Sequence, residues 1–308
     1  MVNALFVNSS KANCSIYESG LMIYNILKQS KLVNFDYLEL TREDCINKIP
    51  IPKYDLYVLN YHHWSLPLDH ELVTKLPGTK ISIVLEVDEK VLLPYTPDIF
   101  DIYMMIDPST NYIKPFYSFP RPLEVIPYLR PLYRSNIPII GSFGLLTPGK
   151  NFEELVLNAN NIGRSIVRIN LPPVTYMGDI GIQIRLVEYA NMLKRLAKRH
   201  VQVIVTHDYM TKPELVRWCS QNTINVFPYY RNQPGLAAVT DQAISSGRGL
   251  VVTSCNTFRH IHKYISSYPQ YSYMELAVNT LDGVKKMQQD WHPDRFLNKF
   301  DIMLKDIM

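Results

Sequence analysis

Six prolines fall between positions 115 and 138 of this 308-residue chain: Pro115, Pro120, Pro122, Pro127, Pro131 and Pro138. Proline fixes φ and carries no amide hydrogen, so a stretch this dense is barred from helix interiors and central strands. It reads as a stiff, extended connector, and on either side of it the same pattern runs. Ahead of it, short apolar or β-branched runs at 4–7, 35–40, 54–61, 80–87 and 101–106 alternate with helical spacing at 20–29 and 68–76. Behind it, runs at 165–169, 201–206, 223–227 and 249–254 alternate with helical patterns at 152–159, 182–199, 212–220, 235–246 and 278–289, and a last helix covers 294–307. Strands alternating with helices argue for parallel, doubly wound sheets. The expectation is an α/β chain of two Rossmann-like domains whose parallel sheets face a cleft. Residues 1–134 form the first and 135–290 the second, with a closing helix, 291–308, packing back on the first. In such sheets ligands sit outside the carboxyl ends of the strands.

Composition narrows the function classes. With 47% hydrophobic and 19% charged residues the chain is globular rather than disordered. A formal charge of +4 suits an anionic small molecule or a membrane surface but lacks the dense basic stripe of a nucleic-acid binder, so no nucleic-acid partner is expected. Cys14, Cys45, Cys219 and Cys255 lie far apart and make no C-x-x-C pair, as reduced thiols of a cytosolic protein do. The opening MVNALFVNSS has no charged region backed by an apolar core, so it does not read as a signal peptide. No apolar run approaches the length of a membrane span. The expected location is cytoplasmic, with at most peripheral membrane contact. Lys194, Arg195, Lys198 and Arg199 close a helix whose dipole suits them.

Two stretches carry the candidate chemistry. The first, 137–155 (IPIIGSFGLLTPGKNFEEL), is a short apolar strand, a glycine-bearing turn and an amphipathic helix. Gly141 and Gly144 can bring backbone close to a ligand because they lack a Cβ. Asn151 is placed to cap the helix, and Glu153 and Glu154 suit its positive end. A strand, a glycine turn and a helix start together can cradle an anion; on spacing alone, a plain strand–helix connector explains them as well. The second, 227–254 (FPYYRNQPGLAAVTDQAISSGRGLVVTS), sets small residues at an expected helix start, then a helix end, a glycine C-cap and a buried strand. In the first half, Ser9, Ser10 and Lys11 follow the first strand and are candidates for acceptor or phosphate contacts, or an ordinary polar loop.

In order and spacing, GSFGLLTPGK with its following helix and the 227–254 segment resemble the donor-binding domain of GT-B glycosyltransferases, particularly family-4-like ones. The motif content spans 141–254. The first half shares the layout and small pieces, namely the strand ahead of His62 and Pro120-Arg121-Pro122. The resemblance implies that Lys150 holds the diphosphate of a nucleotide-sugar donor, with Leu145 standing where the family has an arginine. It places the donor at Ser142, Phe143, Gly144, Lys150, Tyr229, Gln233, Pro234, Gly235, Leu236, Ala237 and Gln242. Pro234 and Gln242 occupy the positions of two family glutamates, and Gln242 retains the ability to hydrogen-bond a ribose. On the acceptor side, Glu86 or Asp88 at the end of the fourth strand is a candidate base, and His62 beside His63 is another. Each of these also reads as an ordinary loop residue.

The implied activity is a glycosyltransferase of hexosyltransferase type with a UDP- or GDP-sugar as substrate and no cofactor, acting on a sugar, lipid-linked or protein acceptor with retention of configuration. It is expected to be metal-independent, since no Asp-x-Asp pair occurs and His260 and His262 would face different sides of a helix. Two alternatives stay open. One is a catalytically inactive GT-B-like nucleotide- or sugar-binding protein, in keeping with the uncharged Leu145, Pro234 and Gln242. The other, weaker, is a nicotinamide-dependent enzyme, although no G-x-G-x-x-G follows the first strand.

Overall fold

The structure, a computed structural model, describes residues 1–10, 14–41, 53–62, 66, 70–85, 99–127, 137–173, 181–231, 235–267 and 273–308. The chain divides into two compact units, one of residues 1–122, 234–236 and 291–308, the other of 123–233 and 237–290.

The first unit is built on β1 (Val2–Ser9), α1 (Ser15–Leu27), β2 (Val33–Leu40), β3 (Leu56–Leu59), α2 (His70–Thr74), β4 (Thr79–Val84), β5 (Ile102–Met105) and β6 (Phe116–Ser118). The strands form one parallel sheet in the order β2-β1-β3-β4-β5-β6. Successive strand residues enter opposite faces. Leu5, Val7, Tyr57, Leu59, Tyr103 and Met105 pack into one layer, and Ala4, Phe6, Val58, Ile81, Ile83 and Met104 into the other. Burial on both faces is why these strands read as nearly unbroken apolar runs.

One element corrects the proline-rich connector expected between 115 and 138. Phe116–Ser118 pairs with β5 as the edge strand, and Phe119, Arg121 and Leu123 after it are buried. A strand bounded by Pro115 and Pro120 survives there because an edge strand leaves one row of hydrogen bonds unmade. The prolines therefore shorten this strand without abolishing it.

The second unit contains β7 (Ile139–Phe143), α3 (Phe152–Ala159), β8 (Ser165–Asn170), α4 (Gly181–Leu196), β9 (Val201–Thr206), α5 (Lys212–Ser220), β10 (Ile224–Phe227), α6 (Val239–Ser245), β11 (Gly249–Val252), α7 (Arg259–His262), α8 (Tyr273–Asn279) and α9 (Leu281–Asp290). Its sheet is parallel in the order β11-β10-β7-β8-β9, which puts β7 at the centre. Phe152, Leu155, Val156 and Ala159 recur at helical spacing and bury the inner face of α3. The helix expected from 235 begins only at Val239, and ahead of it the Ala237 amide donates to the Thr257 carbonyl (3.1 Å). The pattern at 278–289 resolves into α8 and α9.

The last helix, α10 (Pro293–Ile307), belongs to the first unit. Phe296, Phe300, Met303 and Leu304 join the layer that holds Phe6, Val58 and Phe119. Ser30 donates to Asp301 (2.6 Å), and Lys114 and Tyr117 both reach Asp306 (2.7 Å each). No helix among the described residues is long and apolar enough to cross a membrane.

Candidate functional site

In the second unit the chain leaves β7 toward β8 on one side, while β10 flanks it on the other. Its carboxyl end is thus the point where connections diverge, the usual ligand position in an open α/β sheet. Gly144 is the first residue past the strand. Its amide donates to the Asn170 carbonyl (3.1 Å), and its φ of +144° is a conformation L side chains rarely adopt. A Cβ added there would lie 3.1 Å from the Tyr229 hydroxyl and 3.6 Å from Lys150 Nζ.

Lys150 is 8% exposed. Its Nζ sits 3.8 Å from the centroid of the Tyr229 ring, a cation–π contact in a desolvated place. Among the described residues it makes no hydrogen bond or ion pair to a carboxylate. Burial, and after it the charge of Arg231, bring its pKa down to about 7. Tyr229 itself is fully buried among Phe152, Phe227 and Phe258, and its hydroxyl donates to the Phe143 carbonyl (3.2 Å). The loop carrying Lys150 is clipped to the chain after β10 by the Tyr230 amide, which donates to the Gly149 carbonyl (2.8 Å).

A cavity of about 760 Å³ opens beside this lysine. Loop 146–151 forms one wall, and Glu153, Arg185, Tyr189 and Tyr230 line the rest. Burial, and after it a hydrogen bond to Glu153, raise the pKa of Tyr189. The buried Oγ1 of Thr147 and Oγ of Ser142 have no hydrogen-bond partner among the described residues.

The structure thus brings Gly144, Lys150 and Tyr229 together. Ser142 and Phe143 sit just beneath them in β7, but the Phe143 ring is turned into the core against Trp218 and Phe227. Ala237 has its amide engaged with Thr257, and Gln242 is buried within α6; Gly235 and Leu236 are partly exposed. The expectation that amides of a helix starting at Gly235 point at a phosphate is therefore corrected for Ala237. In the first unit, His62 is buried just past β3, where its carbonyl accepts from the Leu66 amide (2.8 Å). Ser9 is buried as the last residue of β1, and the Ser10 amide donates to Leu40 (2.9 Å). Glu86, Asp88, His63, Gln233, Pro234 and Lys11 lie outside the described residues.

Two further readings are corrected. Gly141 does not open the backbone to a ligand, because the Asn222 amide fills the space where its side chain would be. Asn222 is fixed there by donating to Asn225 (2.8 Å) and accepting from Arg168 (2.9 Å). Asn151 precedes α3 in a left-handed conformation, φ 53°, and its side-chain Nδ2 donates to the Glu154 carboxylate instead of its side chain capping the helix backbone. A contact that sequence reasoning missed is that of Arg231, whose stem packs on Gly149. Only the fold brings it to the lysine loop, and no local pattern marks it. His260 and His262 serve the packing, on Thr240 Oγ1 (3.2 Å) and the Thr253 carbonyl (3.0 Å).

No protein-family model matches the sequence, and no curated protein matches it. Solved structures do match its fold, and they are GT-B glycosyltransferases. Anabaena HepE in complex with UDP and glucose is 10% identical with a TM-score of 0.67, over 99% of this chain and 100% of that one. An alpha-glucosyltransferase in complex with UDP-glucose and DNA containing an abasic site is 9% identical with a TM-score of 0.63, over 98% and 99%. OtsA in its apo form is 10% identical with a TM-score of 0.62, over 99% of each chain. At these identities the likeness establishes the fold, two parallel α/β sheets of GT-B type.

Proposed function

We propose that this chain is a glycosyltransferase that takes a sugar from a UDP-sugar and transfers it to a sugar, lipid-linked or protein acceptor in the cytoplasm. The observation that carries the reading is Lys150, a buried ammonium without a carboxylate partner among the described residues, at the carboxyl end of the central strand. A buried cation is costly unless something anionic offsets it, and a donor diphosphate is such a group. The fold likeness supports the choice of nucleotide, since the HepE and alpha-glucosyltransferase structures hold UDP or UDP-glucose.

In this reading the bond between the anomeric carbon and the diphosphate oxygen breaks, the electron pair stays on the diphosphate, and Lys150 stabilises the charge that develops. No metal is needed for that role, and configuration at the anomeric carbon is retained. Gly144 leaves room for the diphosphate beside Lys150, and the Tyr229 ring fixes the ammonium from below. The acceptor oxygen forms the new bond to the anomeric carbon, and Glu86, Asp88 or His62 takes the proton of that hydroxyl.

The test is release of nucleoside diphosphate from a panel of UDP- and GDP-sugars, assayed in EDTA. UDP release that persists in chelator is the expected result. Turnover that requires added Mg²⁺ or Mn²⁺ contradicts the metal-independent mechanism, and UDP binding without any release identifies a binding protein instead.

A further inference from the structure

We infer that α4 is a membrane-docking helix whose outer stripe lies on an anionic lipid surface. The inference is independent of the donor reading above. α3 and α4 bury Leu155, Val156, Leu186 and Leu193 in one layer over the second sheet. The other side of α4 faces water, and there Ile184, Val187, Asn191, Lys194 and Arg195 share one face of the helix. Lys198 and Arg199 extend that face just past the helix end. Ile184 is 62% exposed and Val187 53%, although a helix turned to water needs neither. Leu157, on the outside of the neighbouring α3, is exposed as well.

The charge on this side is as uneven as the apolar surface. Lys194, Arg195, Lys198 and Arg199 are exposed, and exposed Arg164 joins them where the Ser165 amide donates to the His200 carbonyl (3.3 Å). Together these cations exceed the whole formal charge of the chain, +4, so the remainder of the chain is slightly acidic. Among the described residues none of them is held in an ion pair. Glu188, the only acid in α4, lies too far ahead of Lys194 to pair with it along the helix. Asn160 fixes the corner. Its side chain donates to the Leu196 carbonyl (2.9 Å) and accepts from the Lys198 amide (2.8 Å), and its carbonyl lies 3.1 Å from the His200 ring. The helix dipole accounts for Lys194 and Arg195 in the last turn, but not for Arg164 or for aliphatic side chains in water. A lipid surface answers both: anionic headgroups attract the cations, and the interface takes up Ile184 and Val187. Nucleic acid would answer only the charge.

The experiment is co-sedimentation of the full chain with vesicles of phosphatidylcholine alone and of equimolar phosphatidylcholine and phosphatidylglycerol. The same proteins are titrated with a short DNA duplex, and light scattering without vesicles gives their oligomeric state. One variant is Lys194→Ala with Lys198→Ala, another Ile184→Ser with Val187→Ser, and thermal unfolding checks that both are folded. The wild type should bind the anionic vesicles and not the neutral ones, less tightly as salt is raised. The lysine pair should weaken that binding about twentyfold, since each cation near such a surface contributes about fivefold. The aliphatic pair should weaken it about tenfold or more through lost apolar burial, and leave any DNA binding unchanged. Failure of the wild type to bind anionic vesicles overturns the inference. So does vesicle binding that either pair leaves within twofold. DNA binding that depends on the lysines, with vesicle binding indifferent to Ile184 and Val187, makes this a nucleic-acid surface instead. A dimer in solution that the aliphatic pair dissociates makes it a contact between two copies of the chain. Absence of UDP release leaves the inference standing, because no donor enters these measurements.

Discussion

Lys150 Nζ stands 3.8 Å from the centre of the Tyr229 ring, and that ring is fully buried against Phe152 and Phe258. The lysine is thus presented toward Gly144 by a rigid aromatic floor and not by a carboxylate. A carboxylate would neutralise it and compete with an anionic ligand. An aromatic face attracts the cation while leaving its charge available.

The floor can be tested apart from the lysine. Tyr229→Phe keeps the ring and removes only the hydrogen bond to the Phe143 carbonyl, so it should cost about 1 kcal/mol of stability and leave UDP affinity nearly unchanged. Tyr229→Leu removes the ring, and the lost cation–π contact should add about 0.5–2 kcal/mol of local destabilisation around Lys150. Urea unfolding with UDP titration separates the two variants. Equal loss of UDP binding in both would mean that the hydroxyl, and not the ring, is what matters.

How much of this was legible in the sequence depends on the range of the interaction. The strands β1, β3, β4 and β5 declare themselves because burial on both faces writes an apolar run into the chain. The edge strand β6 does not, since three residues between prolines give no period to read. The start of α6 at Val239 leaves the Ala237 amide bonded across to Thr257, a long-range contact that no local signal encodes. Gly141 and Gly144 look alike in the sequence, yet one yields to an asparagine from the turn before β10 and the other opens on the lysine. The motif singles out Lys150 but not its burial on the Tyr229 ring, and the contact of Arg231 with Gly149 joins two loops from different strands, so neither arrangement is written locally.

The two glycines give a paired prediction. Gly141→Ala drives a methyl group into the Asn222 amide and should destabilise the fold by about 1–3 kcal/mol, an overpacking cost. Asn222→Ser in the same chain should return part of that loss by vacating the space. Gly144→Ala meets no such overlap, but its φ of +144° should cost about 1–3 kcal/mol in backbone strain. Its methyl also intrudes between Tyr229 and Lys150, so UDP binding should fall well beyond the change in stability. Denaturant midpoints and UDP affinity measured together decide the matter, and a Gly144→Ala protein with unaltered affinity would place the diphosphate elsewhere.

UDP affinity should fall as the pH rises above neutrality. In the free protein Lys150 titrates at about 7, with Tyr229 and the charge of Arg231 as its neighbours; a bound diphosphate favours the ammonium and raises that pKa. The affinity is therefore complete below the free-state pKa and is lost as pH climbs from it toward the bound-state value. Between pH 8 and 9 the Kd should increase about tenfold, and binding at pH 8 should take up close to one proton. Calorimetry in buffers of different ionisation enthalpy measures that proton directly. A Kd flat from pH 7 to 9 with no proton uptake would show that Lys150 does not meet the ligand as a titrating group.

Lys150→Met should make the protein more stable and less active at once. Methionine matches much of the lysine stem and still packs on the Tyr229 ring, but it carries no charge into the buried position. Because the folded pKa of about 7 lies below the ordinary lysine value of 10.5, the folded state resists protonation relative to the unfolded chain. The cost of burying the ammonium is therefore full at and below pH 7, shrinks as pH rises toward 10.5, and vanishes above it. At pH 6.5 the variant should gain about 1–3 kcal/mol, as removal of an uncompensated buried charge does, with a smaller gain at pH 9. Turnover should fall by about two to three orders of magnitude, the size of the loss of one donor to developing charge. The fall should appear more in kcat than in KM for the donor, because the leaving diphosphate gains its charge in the transition state. Lys212→Ala, at the first residue of α5, serves as the control and should change neither quantity appreciably. A Lys150→Met protein that is destabilised yet retains turnover would make this lysine a structural residue, held for the cation–π contact alone.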